Sequence, residues 1–160
     1  MGRSAFISDR SEPNSLPDGP WTADDDAAFA YLERVVWQDG FRCRVCGRAG
    51  LSEPDSRKHW RYCGHCRKRF SLRAGTMFAG DTMPLGKAIS AIWFMNFGEG
   101  PVYIARLERV MGTSPGATQR LFDRVSRAMS DQGLEPLGSG GDMISTSAEF
   151  ERRLRLIALY

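Results

Sequence analysis

The residues best suited to chemistry in this chain are four cysteines grouped in two pairs. Cys43 and Cys46 are separated by two residues, as are Cys63 and Cys66, and 16 residues lie between the pairs. Two Cys-x2-Cys pairs at such a distance are typical of a structural zinc site, in which each pair forms a tight turn and four thiolates complete a tetrahedron. The sequence therefore predicts one structural Zn²⁺ bound by these four sulfurs, with no open position for activating water.

The residues around the cysteines support these turns. Gly47 follows the first pair and Gly64 lies inside the second, and we expect both to supply backbone freedom. The nearby arginines and lysines are expected to favour the ionised thiols. His59 and His65 lie in the same stretch, but four cysteines already fill a tetrahedral site, so both histidines are predicted to be bystanders.

Other uses of four cysteines fit less well. A disulfide framework requires an oxidising compartment, and nothing in the sequence directs export. A thioredoxin-like site would use one Cys-x-x-Cys pair, and the zinc-deaminase pattern of His-x-Glu followed by Pro-Cys-x-x-Cys is absent. Iron bound by four thiolates remains an alternative to zinc at this stage.

Positive charge is concentrated in two stretches of the chain. Residues 42–73 carry ten basic and two acidic side chains, and residues 105–130 carry five and two. Residues 1–41 are acidic, with three basic and eight acidic side chains. Two local basic surfaces in a chain of modest net charge favour a polyanionic partner, and we predict double-stranded DNA.

The cysteine-bearing stretch is predicted to form a short β hairpin. Trp60 and Tyr62 alternate with Arg61, and Phe70 and Leu72 continue the alternation. Phe70 is predicted to be a core residue, whereas Trp60 fits either a core position or an exposed contact. The DNA-contacting residues predicted here are Arg44, Arg48, Arg57, Lys58, Arg61, Arg67, Lys68, Arg69 and Arg73.

Helices are predicted on both sides of the hairpin. A first helix is expected after Thr22 as its N-cap, with acidic residues in its first turn and an apolar face that includes Phe29 and Leu32. A second helix is expected from near Thr82 to Gly98, because apolar residues recur at helical spacing from Leu85 onwards.

Two further helices form a helix-turn-helix pattern. A short helix ends at Gly112, and a longer one begins after Ser114 with Pro115 in its first position. The second helix of such a motif enters the major groove, so its outward side chains are candidates for base and phosphate contacts. The residues predicted for this role are Ser114, Gln119, Arg120, Arg124 and Arg127.

The last helix is expected to begin at a capping box formed by Thr146 and Glu149, with Phe150, Leu154 and Ile157 on its apolar face. A short helix of this kind must dock on the body or on a second copy, which allows a homodimer or a protein partner. The predicted organisation is a flexible tail (1–20), an N-terminal helix with the zinc ribbon (21–75), a helix-turn-helix-like domain (76–130), a linker (131–145) and a C-terminal docking helix (146–160). The predicted fold class is mainly α with a small β zinc ribbon.

Four stretches together resemble a known family. The segments VVWQDGFRCRVCG, WRYCGHCRKRFSLRAGTMF, MPLGKAISAIWFM and RVSRAM are similar, in order and spacing, to the N-terminal zinc-ribbon and helical region of insertion-sequence transposases, whose Asp-Asp-Glu catalytic domain follows the ribbon. The resemblance covers about residues 22–130. It implies that the four cysteines are the zinc ligands and that the ribbon and helices recognise the ends of a mobile element.

The sequence departs from that family in two places. Arg44 and Val45 stand between the first two cysteines, where the family commonly has a proline. Only 18 residues follow Asp142, too few for a nuclease with two metals on separated carboxylates. We therefore predict no catalytic residue and a non-enzymatic DNA-binding function, in transcription regulation or transposition-related recognition.

The alternative function, from a different class, is a zinc-ribbon adaptor that docks proteins in a nucleoprotein assembly. The chain contains no apolar run long enough for a membrane helix, and its start lacks the apolar core of a secretory signal. A cytoplasmic, nucleoid-associated location is expected for either function.

Overall fold

The computed structural model describes residues 19–50, 52–98, 102–137 and 143–160, with the backbone alone for residues 143–146. Across these residues the helices are α1 (Asp25–Val36), α2 (Leu85–Phe97), α3 (Ile104–Met111), α4 (Pro115–Asp131) and α5 (Met143–Ala158). The strands are β1 (Ser52–Pro54), β2 (Trp60–Cys63) and β3 (Arg69–Ser71), which form one antiparallel sheet in the order β1-β2-β3. The predicted fold class, mainly α with a small β ribbon, is confirmed. The predicted tail up to residue 18 lies outside the described residues.

Helix α1 begins later than predicted. Asp24, not Thr22, is its N-cap, and the Asp24 carboxylate accepts a hydrogen bond of 2.7 Å from the Ala27 amide. The Thr22 hydroxyl instead donates to the Gly19 carbonyl in the turn before the helix. Asp24 is preferred over Thr22 because its carboxylate accepts this hydrogen bond and also places a negative charge at the positive end of the helix. Phe29 and Leu32 are buried, as predicted.

Helix α2 forms the centre of the helical body. It starts at Leu85 rather than near Thr82, because Pro84 disfavours helical backbone at the residue before it. Most of its residues are buried on every side, including Leu85, Ile89 and Ile92, as expected for a helix enclosed by its neighbours. The helix ends at Phe97, with the predicted Gly98 as its C-cap.

Helices α3 and α4 pack against each other and are joined by a turn of three residues. Gly112 ends α3 in the left-handed conformation, with φ of 59°. Ser114 is the N-cap of α4 and Pro115 is its first residue, as the sequence predicted. The DNA-reading role of this pair stays a prediction.

Helix α5 packs on α1, α2 and α4. Its apolar residues Phe150, Leu154 and Ile157 are each at most 1% exposed, so this face is buried within the chain. The helix begins at Met143, which places Thr146 inside it and makes the predicted capping box wrong. Glu149 bonds to Arg152 and Arg153 instead, because helical spacing brings these side chains together.

None of the described helices is both long enough and apolar enough to cross a membrane.

Candidate metal centre and basic surface

The four cysteines converge on one point. Their sulfur atoms all lie within 4.8 Å of one another, with 3.7 Å between Cys43 and Cys66 and 3.8 Å between Cys46 and Cys63. A tetrahedron with Zn–S bonds of about 2.3 Å has edges of about 3.8 Å, whereas a disulfide requires about 2.05 Å. All four cysteines are free thiols. The cluster fits one structural zinc ion, as the sequence predicted.

The two cysteine turns have the same backbone hydrogen bonds. The Cys43 carbonyl accepts from the Gly47 amide and the Cys63 carbonyl accepts from the Arg67 amide, both at 2.9 Å. In each turn, the amide two positions after the first cysteine donates to its sulfur, at 3.3 Å and 3.4 Å. The two turns therefore present their sulfurs in equivalent ways, although their sequences differ.

Only one of the two predicted glycines has the predicted backbone role. Gly47 has a φ of 71°, in the left-handed region that favours glycine. The equivalent residue of the second turn is Arg67, with a φ of 60°, and Gly64 does not adopt a positive φ. Each cysteine turn thus has a residue with left-handed backbone directly after its second cysteine, and not between its two cysteines.

Backbone amides lower the pKa of two of the four thiols. Hydrogen bonds from backbone N–H groups, first that of Cys46, lower the pKa of the Cys43 thiol to about 6. The backbone N–H of Cys66 is likewise the main cause that lowers the pKa of the Cys63 thiol. These amides, rather than the nearby arginines, favour the thiolate form of Cys43 and Cys63, whereas burial and the neighbouring cysteines raise the pKa of the Cys66 thiol to about 11.

A small aromatic cluster supports the ribbon beside the sulfurs. The rings of Phe41 and Phe70 stack at 5.5 Å, and Trp37 at the end of α1 meets both rings edge-on. Phe70, predicted to be a core residue, is half-buried and packs against the buried Phe41, Cys43 and Cys63. Trp60 is half-buried, and the Arg57 guanidinium lies 5.4 Å from its ring centre.

Polar contacts attach the ribbon to α1. Arg61 of β2 forms an ion pair with Glu33, and both side chains are about a quarter exposed. The His59 ring stacks on Phe29 at 3.8 Å, so this histidine packs on α1 rather than at the sulfurs. Lys58 pairs with Asp26 at 3.0 Å. Two of the predicted DNA-contacting residues, Lys58 and Arg61, therefore have acidic partners in α1.

Two more of the predicted arginines are half-buried and bonded to other parts of the fold. Arg73 donates to the carbonyls of Asp81 and Met83, at 3.2 Å and 2.8 Å, and burial lowers its pKa. Arg124 donates to the Met77 carbonyl at 2.8 Å and to the Asp81 carboxylate at 3.2 Å. A half-buried guanidinium needs such acceptors, which gives both residues a structural role in joining the 73–83 loop to the rest of the molecule.

The other predicted residues divide by their partners. On the ribbon surface, Arg67 approaches Glu53 at 3.8 Å and Arg69 pairs with Asp55 at 3.0 Å. On α4, Gln119 donates to Asp123 at 2.8 Å, and Ser114 is exposed at the helix start. Six of the predicted basic residues are exposed and have no acidic ion-pair partner within the part of the chain that the structure describes: Arg44, Arg48, Arg57, Lys68, Arg120 and Arg127.

The first cysteine turn lies next to α4. Arg44 from that turn and Arg124 and Arg127 from α4 line one pocket of about 410 Å³, together with Tyr160 at the chain end. The two basic stretches found in the sequence are thus neighbours in space. This contact was not predicted from the sequence; in the structure the Arg44 side chain lies over the backbone of Gly75.

Comparison with known proteins identifies part of the chain. Residues 23–69 match the family model described as "Transposase zinc-ribbon domain". No curated protein and no solved structure matches the chain. The match covers α1, both cysteine turns and the start of β3, so this segment is a transposase-type zinc ribbon. It confirms the resemblance over these residues, and α2 to α5 lie beyond it.

Proposed function

We propose that the chain is a zinc-dependent double-stranded DNA-binding protein of transposase origin that recognises DNA without cutting it. The observation that carries the proposal is the position of the first cysteine turn, whose Arg44 shares a pocket with Arg124 and Arg127 of α4. One continuous basic surface of this kind can follow a DNA backbone. The transposase zinc-ribbon match supports nucleic acid as the partner.

The two parts of this surface suit different tasks. Arg44, Arg48 and Lys68 are exposed on the cysteine turns and can contact phosphates, which fixes position but not sequence. Gln119 and Arg120 lie in the N-terminal part of α4, which enters the major groove in helix-turn-helix proteins. The bond from Gln119 to Asp123 holds the amide in place and leaves its oxygen and its second N–H for an adenine edge.

We assign no catalytic step to the described residues. A zinc ion bound by four sulfurs has a closed coordination shell, so it holds structure and activates no water. Asp142, the residue closest to where the family has its first catalytic acid, lies outside the described residues.

The structure gives the adaptor hypothesis less support than the sequence did. That hypothesis relied on the apolar face of the last helix, and Phe150, Leu154 and Ile157 are buried against the body. Among the described side chains, the large hydrophobic residues that remain exposed are Val45, Tyr103, Leu137, Leu159 and Tyr160. Basic charge, rather than an apolar helix face, is the stronger feature of the surface.

Selection of bound duplexes from a random DNA pool tests the proposal. Zinc-loaded protein at near-physiological salt is expected to enrich a sequence motif, and Arg120→Ala is expected to blur it because one base-reading contact is lost. Arg109→Ala is the matched control, since it removes an exposed arginine from α3 instead. Failure of the folded, zinc-loaded protein to enrich any motif would refute site-specific binding.

The salt response separates DNA binding from protein docking. Each phosphate contact adds about 0.9 to the slope of log affinity against log salt, so the proposed surface predicts a steep loss of affinity. Docking through apolar contacts predicts a nearly flat response. The enriched motif also separates the two biological uses, because transposition-related recognition predicts the ends of a mobile element and transcription regulation predicts promoter sites on the nucleoid.

A further inference from the structure

We propose that the pocket between the first cysteine turn, the 75–77 loop, α4 and the end of α5 binds a single nucleotide unit of a nucleic-acid strand. In this assignment the phosphate lies among Arg44, Arg124 and Arg127, and the base or sugar lies against Leu159 and Tyr160. The inference rests on the proposed DNA-binding function and adds a discrete site to it.

The positive charge of the pocket favours the binding of an anion. Three guanidinium groups line one cavity, and none of its described lining side chains is acidic. Only Arg124 has a carboxylate partner, the largely buried Asp81. Like charges held close together repel one another unless an anion lies between them, and guanidinium groups match phosphate oxygens in geometry.

Arg124 is held in position before any ligand arrives. Its two terminal nitrogens donate to the Met77 carbonyl at 2.8 Å and to Asp81 at 3.2 Å. The Asp81 side chain is 8% exposed, so it is a fixed acceptor rather than a mobile one. A preorganised guanidinium loses little side-chain entropy when it binds phosphate.

Arg44 reaches the pocket across the backbone of Gly75. A Cβ atom built on Gly75 would lie only 2.6 Å from Cδ of Arg44, so the absence of a side chain lets the arginine lie flat there. Gly75 also has a φ of 71°, which disfavours other residues. This glycine therefore provides a way to displace Arg44 without changing the charge of the protein.

The opposite wall suits the uncharged part of a nucleotide. Tyr160 is 51% exposed and Leu159 is 39% exposed, although both are apolar for most of their surface. The Tyr160 hydroxyl donates to Asp131 of α4, which restrains the ring. An exposed aromatic ring next to a cationic group is the usual arrangement for stacking an unpaired base. The volume of about 410 Å³ lies within the range of small-ligand sites.

A titration of the full zinc-loaded chain with thymidine 5′-monophosphate tests the site, followed by NMR of the arginine side-chain N–H groups. Saturable shifts are expected for Arg44, Arg124 and Arg127 and for the Tyr160 ring, with at least fivefold weaker shifts from the phosphate-free nucleoside thymidine. Absence of saturable shifts at these groups would overturn the inference.

Three variants assign the effect to the pocket. Gly75→Ala and, should that variant not fold, Arg44→Gln are expected to weaken binding of the monophosphate at least fivefold. Arg109→Gln is the matched control, since this exposed arginine of α3 does not line the pocket and has no proposed phosphate contact. Equal losses in Arg44→Gln and Arg109→Gln would show general electrostatic attraction and would contradict a discrete site.

Two ligands identify the source of the phosphate. Tighter binding of thymidine 5′-monophosphate than of the dinucleotide TpT would assign the site to a phosphorylated strand end, and the reverse order would assign it to an internal phosphodiester beside an unpaired base. Duplex binding by the wild-type protein without pocket shifts would refute this inference and leave the proposed function intact. Pocket shifts without duplex binding would refute the proposed function alone.

Discussion

The zinc ribbon and the helical body are stabilised in different ways. The body has a continuous apolar core that includes α1, α2, α4 and α5. In the ribbon, the separate buried cluster consists of Phe41, Cys43 and Cys63, with Trp37, Cys66 and Phe70 packed against it. Two of its three buried members are cysteines of the zinc site. The body is therefore stable through apolar burial, whereas the ribbon depends on its metal.

The contacts between the two regions are both polar and aromatic. The Arg61–Glu33 and Lys58–Asp26 pairs join the ribbon to α1, with the stacked rings of His59 and Phe29 between them. Such pairs contribute little stability when they are partly exposed. We therefore expect the ribbon to lose its fold without unfolding the body, and any function that needs both regions to be lost with the metal.

Removal of the zinc is expected to have the largest effect, because it should unfold the ribbon and leave the helical body folded. Chelation, or Cys63→Ser, is expected to unfold residues 41–71 and leave most helical signal intact, because apparent zinc-binding energies in small domains are about 10–16 kcal/mol. Far-ultraviolet circular dichroism and backbone NMR measure the two regions separately. His65→Ala is the matched control and should keep one zinc per chain, since His65 lies in the same turn but is not a ligand. Parallel loss of helix and ribbon would show that the body needs the metal too.

A cavity in the helical core is expected to have the opposite effect. Leu154→Ala removes a fully buried side chain of α5 and should lower the free energy of unfolding by about 2–5 kcal/mol, with zinc content unchanged. Denaturant unfolding and metal analysis measure both quantities. Leu159→Ala, at a residue that is 39% exposed, should cost far less. A loss of zinc in Leu154→Ala would contradict the independence of the two regions.

A substitution in the first cysteine turn is expected to have a smaller effect than the two changes above. Gly47→Ala is expected to destabilise the zinc-loaded ribbon by about 1 kcal/mol, because Gly47 has a φ of 71° and alanine disfavours that region. No neighbouring atom would meet the added Cβ, so the effect reports the backbone alone. Competition with a zinc chelator measures it. Gly64→Ala, at a residue without a positive φ, should change zinc affinity less. A larger loss of zinc affinity in Gly64→Ala than in Gly47→Ala would contradict the conclusion that each turn requires a left-handed residue after its second cysteine.

Lowering the pH is expected to have the smallest effect on the stability of the body and to affect the ribbon at a higher pH than the body. Hydrogen bonds from Arg152 and then Arg153 lower the pKa of Glu149 to about 2, from an ordinary value of 4.5. A lowered folded-state pKa contributes stability above pH 4.5 that is lost as the pH falls towards 2. Glu149→Gln should flatten the pH dependence of body stability in that window. Zinc release, measured with a zinc-sensitive dye, should occur at higher pH, because protonated thiols do not bind metal. Identical pH profiles of wild type and variant would contradict the role of Glu149.

Local patterns in the sequence were enough to predict the metal centre and most of the fold. The spacing of the cysteine pairs determines which sulfurs can share one ion, and the recurrence of apolar residues from Leu85 determines the buried face of α2. Pro115 and Gly112 likewise predict where α4 starts and α3 ends. Each of these features depends on residues close together in the chain.

Two kinds of feature were not predictable: the choice between neighbouring residues that suit the same role, and contacts between residues far apart in the chain. Thr22 and Asp24 both suit an N-cap, and only the position of the first helical turn decides between them. The ion pair of Arg124 with Asp81 spans 43 residues, and the contact of Arg44 with Gly75 depends on how the ribbon packs. Counting arginines on a helix face therefore could not show which of them are occupied within the fold.

Duplex affinity with and without zinc tests the central claim most directly, which is that the metal-held turn and α4 form one DNA-binding surface. A fluorescent duplex would be titrated with zinc-loaded and chelated protein over a range of salt concentrations. The account predicts that chelation weakens binding at least tenfold and lowers the salt slope by about 2 to 3, because phosphate contacts from Arg44, Arg48 and Lys68 are lost while α4 stays folded. Equal affinity and an unchanged slope in the chelated protein would contradict it.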